Sequence, residues 1–97
     1  MTSTDILEEL WLVINDRFEH PSRDSYVSQI MSGEKGPDRI LEKIGEEATE
    51  FIIAAKNQDP SRIISEAADL QFHLLIALKV SGVTFQDVLD ELASRRK

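Results

Sequence analysis

The stretch from Pro37 to Ser81 constrains this chain more than any other, because it carries a helical apolar pattern, breaks it once and resumes it. Ile40, Ile44, Ala48, Phe51, Ile52 and Ala55 recur at the spacing of a helix face until Asn57, Gln58 and Asp59 interrupt them. Asp59 and Pro60 then supply an N-cap and a first helical position for a second run, which holds Ile63, Ile64, Leu70, Phe72, Leu74, Leu75, Ile76 and Leu78 and stops at Gly82. Each helix has about twenty residues and so is about 30 Å long. Two long helices joined by so short a break form an antiparallel hairpin.

The rest of the chain supplies shorter helices around it. Ile6, Leu7, Leu10, Trp11, Ile14 and Phe18 make an amphipathic helix from about Thr4 to Phe18, capped by Thr4 or Asp5 and closed before Pro21. A short helix follows over 25–31, and then a polar, glycine-punctuated loop from Ser32 to Gly36 leads to Pro37 at the start of the first long helix. Thr84 and Asp87 mark the capped start of a last helix bearing Val88, Leu89 and Leu92, with Arg95, Arg96 and Lys97 at its negative end. No strand alternation and no solenoid repeat interrupts this pattern. The expected fold is all-α, with residues 1–97 as one domain.

Composition sets the chemistry available to such a fold. With no cysteine in 97 residues, disulfides, zinc-thiolate sites, iron–sulfur clusters and cysteine nucleophiles are excluded. Lys and Arg number 11 against 18 Asp and Glu, a net charge of −7, so binding to a nucleic-acid polymer is not expected and a phosphate compound needs help from metal ions. The start at Met1 to Asp5 lacks the basic and apolar parts of a signal peptide, and no apolar run is long enough for a bilayer, so the expectation is a cytoplasmic protein without a membrane partner.

The carboxylates of the hairpin sit where carboxylates are unusual. At about 100° per residue, Glu47 and Glu50 lie about 60° apart, beside the stripe of Ile40, Ile44, Phe51 and Ala54. Glu66 and Asp69 repeat that spacing and share their sector with Phe72, His73, Ile76 and Val80. Lys43 and Arg62 stand four residues before Glu47 and Glu66, leaving Glu50 and Asp69 without such a partner. Two acid pairs aimed at the interior repel one another and lose solvation unless a cation joins them. An all-oxygen set suits Mg²⁺ or Mn²⁺. The di-iron helical bundles require histidine three residues after the glutamate, where this chain has Asp69.

At these residues the sequence resembles a known family. Lys43-Ile44-Gly45-Glu46-Glu47-Ala48-Thr49-Glu50, Glu66-Ala67-Ala68-Asp69-Leu70-Gln71-Phe72-His73 and Ser25-Tyr26 are similar to segments of the phosphoribosyl-ATP pyrophosphatases of histidine biosynthesis, within the all-α MazG-like pyrophosphohydrolases. The superfamily pattern of Glu-x-x-Glu followed by Glu-x-x-Asp falls on Glu47, Glu50, Glu66 and Asp69. Val27 stands where Thr is common, Phe72 where Tyr is common, and the loop between Tyr26 and Ile40 is slightly longer than usual. The resemblance implies hydrolysis of 1-(5-phosphoribosyl)-ATP to pyrophosphate and 1-(5-phosphoribosyl)-AMP. It implies Glu47, Glu50, Glu66 and Asp69 as metal ligands and Glu46 as the group orienting or deprotonating water. Ser25, Tyr26, Lys35, Arg39, Lys43 and His73 are then expected at the substrate. Two alternatives stay open: a pyrophosphatase of ordinary nucleoside triphosphates, and a helical interaction module without catalysis. The broad apolar stripes also predict a homodimer whose paired hairpins complete a four-helix bundle.

Overall fold

Local chemistry sets the helix ends. The Asp59 carboxylate accepts the Arg62 amide hydrogen, Pro60 opens the helix that follows, and Gly82 ends it with a left-handed φ of 76° that a side chain would strain. Ser25 caps its helix by accepting the Ser28 amide, and Thr84 and Asp87 cap each other's backbone in a reciprocal box. Gly36, with φ of 53°, turns the chain into Pro37.

The computed structural model describes residues 5–96, and among them the helices are α1 (Asp5–Glu19), α2 (Tyr26–Ser32), α3 (Pro37–Lys56), α4 (Pro60–Ser81) and α5 (Phe85–Ser94). No strand occurs among the described residues, so the fold is all-α as the periodicity requires. The expected cap at Thr4 or Asp5 and the charge at Lys97 fall outside the described residues and side chains. The α2 helix begins at Tyr26 rather than Ser25, because Ser25 is used as the cap. Among the described residues no single helix is long and apolar enough to cross a membrane.

The hairpin of α3 and α4 makes the most extensive contact in the molecule, and α1 packs on α4 while α2 packs on α1 and α3. The core therefore gathers at one end of the hairpin: Ile14 from α1, Val27 and Ile30 from α2, Ile40 from the start of α3, and Leu75 and Ile76 from the second half of α4. The other end, near the turn at 57–59, is bare. There Ile52 and Ile64 are 60% and 69% exposed, and Ile53 is exposed beside them. The acidic residues lie between the covered and the uncovered halves.

Candidate functional site

An antiparallel hairpin pairs residues equally distant from its turn. Glu50 and Glu66 each stand eight residues from Gln58, and Glu47 and Asp69 each stand eleven. Folding thus brings α3 and α4 acids face to face. Glu47, Glu66 and Asp69 can each offer a carboxylate oxygen within 4.8 Å of the others. Glu47 and Glu66 are buried, 6% exposed each, whereas Asp69 and Glu50 are exposed. This differs from the expectation that both members of each pair point inward. A three-residue step turns the second acid about 60° round the helix, enough to move it from the buried stripe to its rim.

Each buried acid has a cation one turn earlier: the Lys43 ammonium lies 3.5 Å from Glu47, and the Arg62 guanidinium donates to Glu66 at 3.1 Å. Even so, the Glu66 carboxyl is pushed up to about 7, first by its hydrogen-bonding contact with Glu50, then by lost solvation, then by Glu47. Glu50, outside the tightest group, therefore still touches the cluster through Glu66. The donor set fits a hard divalent cation, because it consists of carboxylate oxygens alone, gathered on two rigid helices, and a 2+ charge relieves the repulsion recorded at Glu66.

Beside the acids lies a cleft of about 400 Å³ between α2, the loop after it and α3, lined by Tyr26, Gln29, Lys35, Arg39 and Lys43 among others. Arg39 and Lys43 are four apart on one line of α3, and Lys35 is four residues before Arg39. Lys35 donates to both oxygens of Glu42, at 2.8 and 3.0 Å, which holds that carboxyl below its usual range. The structure thus brings together the three cations expected at the substrate. Gln29 and Gly33 also line the cleft. Neither carries a periodic or charge signal that marks it in the sequence.

Tyr26 belongs to both regions. It lines the cationic cleft, and Lys43, Arg39, Glu47 and Asp69 are all close enough to influence its hydroxyl. Burial pushes that hydroxyl above its ordinary range, against the pull of Lys43 and Arg39, so it stays protonated at neutral pH. The hydroxyl meets His73 Nε2 at 2.7 Å, and His73 Nδ1 meets the Asp69 carbonyl at 2.8 Å.

Three further expected site residues have partners within the chain. His73, expected at the substrate, is buried with both ring nitrogens engaged inside the chain. Ser25 uses its hydroxyl to cap α2. Glu46, expected at the attacking water, is exposed and faces Arg39 at 3.8 Å, because the residue before Glu47 is turned about 100° from it around the helix.

Facing carboxylates on a helical hairpin, joined at one edge to a cation-lined cleft, fit an all-α hydrolase of phosphate compounds. The model of the phosphoribosyl-ATP pyrophosphohydrolase family matches residues 7–96, and the chain belongs to that family. It is similar to the phosphoribosyl-ATP pyrophosphatase of Methanoculleus marisnigri, 63% identical over 97 residues and covering 100% of both chains. The phosphoribosyl-ATP pyrophosphatase of Methanosphaerula palustris is 57% identical, with 100% of this chain and 98% of the relative aligned. The histidine biosynthesis bifunctional protein of Prochlorococcus marinus is 48% identical over 92 residues, which span 95% of this chain but 40% of that one. The enzymatic expectation holds, and the non-catalytic alternative is set aside.

Proposed function

We propose that this chain hydrolyses 1-(5-phosphoribosyl)-ATP in histidine biosynthesis, adding water across the α–β anhydride to release pyrophosphate and 1-(5-phosphoribosyl)-AMP. The observation that carries this reading is the shared edge at Lys43 and Tyr26, where facing carboxylates adjoin a cleft of three cations. Glu47, Glu66 and Asp69 would hold a divalent ion, Mg²⁺ or Mn²⁺, with Glu50 beside them. Such an ion supplies positive charge that binds the polyphosphate and stabilises charge developing on its oxygens. A protein of net charge −7 needs that help to hold a polyphosphate.

The chain's own residues do the rest. Lys35, Arg39 and Lys43 donate to phosphate oxygens lying in the cleft, and charge-assisted contacts of this kind fix the substrate's direction. Glu46, facing Arg39, orients that guanidinium rather than the water. In this reading Glu50, exposed and outside the tightest carboxylate group, accepts the proton that water loses. Ser25 acts indirectly, by fixing the start of α2 and so the position of Tyr26. A pyrophosphate-release assay over phosphoribosyl-ATP, ATP and the deoxynucleoside triphosphates tests the substrate. The expected result is strong preference for phosphoribosyl-ATP, and faster hydrolysis of the ordinary triphosphates overturns it.

A homodimer completes the proposal. Support comes from the bare end of the hairpin, where Ile52 and Ile53 of α3 and Ile64 of α4 are each exposed, and from Leu41, exposed near the other end of α3. An unpartnered apolar surface of this kind is what a second hairpin covers in a four-helix bundle. Sedimentation equilibrium is expected to return twice the 11.0 kDa of one chain. A folded monomer throughout the micromolar range contradicts it.

A further inference from the structure

A tyrosine hydroxyl has one hydrogen to give, and in this protein the recipient is fixed by what lies behind it. His73 Nδ1 sits 2.8 Å from the Asp69 main-chain carbonyl, a group that can only accept. In a neutral imidazole one ring nitrogen donates and the other accepts, so Nδ1 carries the hydrogen and Nε2 accepts. Tyr26, at 2.7 Å from Nε2, therefore donates to it. This is the only hydrogen bond of the Tyr26 hydroxyl among the described residues. Its oxygen has its hydrogen committed to His73, so what it offers any further partner is lone pairs alone.

That polarity decides what Tyr26 can recognise. Phosphate oxygens are acceptors at neutral pH, so an oxygen with only lone pairs to offer repels them, while Lys35, Arg39 and Lys43 in the same cleft attract them. The group that suits Tyr26 is a neutral donor held close to a phosphate. In a phosphoribosyl compound the donors nearest the phosphate are the sugar hydroxyls. The ring is also held firmly enough to select: it packs against Phe72 with centroids 6.1 Å apart and meets the His73 ring edge-on at 5.6 Å. His73 is 5% exposed and reaches Tyr26 from α4, so the start of α2 is tied to the helix that carries Glu66 and Asp69.

We propose that Tyr26 is a specificity residue whose oxygen, oriented by His73, accepts a hydrogen bond from a substrate ribose hydroxyl, so that the cleft selects ribonucleotides over their deoxy forms. His73 is the positioning residue. The inference rests on the proposed pyrophosphohydrolase function and deepens it by naming what the cleft reads besides phosphate.

The test uses AMP, 2′-deoxy-AMP, 3′-deoxy-AMP and inosine monophosphate as probes in NMR titrations of the full chain and of Tyr26→Phe. The wild type is expected to bind AMP about 10-fold more tightly than the deoxy analogue that lacks the bonded hydroxyl, since a site built around a hydroxyl leaves a polar group unpaired when it is missing. Tyr26→Phe should bind AMP and both deoxy forms within twofold of one another. Nitrogen-15 shifts of wild-type His73 should show a protonated Nδ1 and a bare Nε2. Equal binding of all probes by the wild type, no binding at all, or a preference that survives Tyr26→Phe overturns the inference. So does a protonated Nε2. A preference for AMP over inosine monophosphate that Tyr26→Phe erases assigns the donor to the base amine and overturns the ribose assignment. The wild-type and nitrogen-15 results decide the matter even where Tyr26→Phe does not fold. Wild-type hydrolysis of phosphoribosyl-ATP is measured in parallel. If it is absent, the proposed function fails; if it is present without discrimination, only the role of Tyr26 fails.

Discussion

The acidic cluster and the cationic cleft share a wall yet are built in opposite ways. The cluster stands on two long helices, with Glu47 and Glu66 buried in the most extensive contact of the fold. The cleft has one wall on α3, but its others come from the seven-residue α2 and the glycine-marked loop of residues 33–36. Like charges forced together need rigid support, because every relaxation that separates them is downhill. Cations proposed to meet phosphate need reach instead, and Lys35 and Arg39 are long, exposed side chains paired with Glu42 and Glu46. On the proposed function, the acid side sets where chemistry occurs, whereas the cation side sets what is brought there.

If that division holds, removing charge on the acid side damages turnover most. Glu47→Gln and Asp69→Asn are each expected to lower kcat on the order of 100- to 1,000-fold, as loss of a transition-state-stabilising contact does. Steady-state assays that find the loss in KM alone would break the comparison. On the other side, Arg39→Ala and Lys43→Ala should lower kcat/KM about 10- to 100-fold, chiefly through KM, in keeping with lost charge-assisted hydrogen bonds. Lys43 also faces Glu47, so its variant is the more severe of the two.

A smaller effect appears in stability against pH. The Glu66 carboxyl is raised from 4.5 to about 7, so the folded chain holds that proton more tightly than the unfolded one. Its contribution to stability is fully present below about 4.5 and is lost as pH rises to about 7. In chelator, the melting temperature should fall across that window through this group, and Glu66→Gln should flatten the fall. Divalent ions reverse the trend, since ligands bind metal as they shed protons. A Glu66→Gln variant that melts with the wild-type pH slope contradicts this. The smallest effect expected is at the turn: Asp59→Ala removes the α4 cap and should cost about 1 kcal/mol in a melt.

How far the sequence foretold the molecule follows the same divide. The hairpin was legible because apolar spacing, Asp59-Pro60 and Gly82 all mark it, and the reciprocal cap of Thr84 and Asp87 stands where the sequence puts it. The opposition of the acids was legible in principle too, through their equal distances from Gln58. What helical spacing misjudged was depth: Glu50 and Asp69 lie at the rim because two facing stripes bury only their centres. The cleft was less legible. Its cations are visible as residues, but the contribution of Gln29 and Gly33 depends on how a short helix and a loop fold back on α3, which no local pattern encodes. His73 shows the same limit, since its partner Tyr26 is 47 residues away.

A divalent ion held by the hairpin carboxylates is, on the proposed function, what hydrolysis needs. The most direct measurement is calorimetric Mn²⁺ binding to the wild type and to Glu47→Gln, paired with pyrophosphate release from phosphoribosyl-ATP in Mg²⁺ and in EDTA. The wild type is expected to bind Mn²⁺ and to work only with the metal present, and Glu47→Gln to lose binding and turnover together. Undiminished Mn²⁺ binding by Glu47→Gln, or full wild-type activity in EDTA, would contradict this.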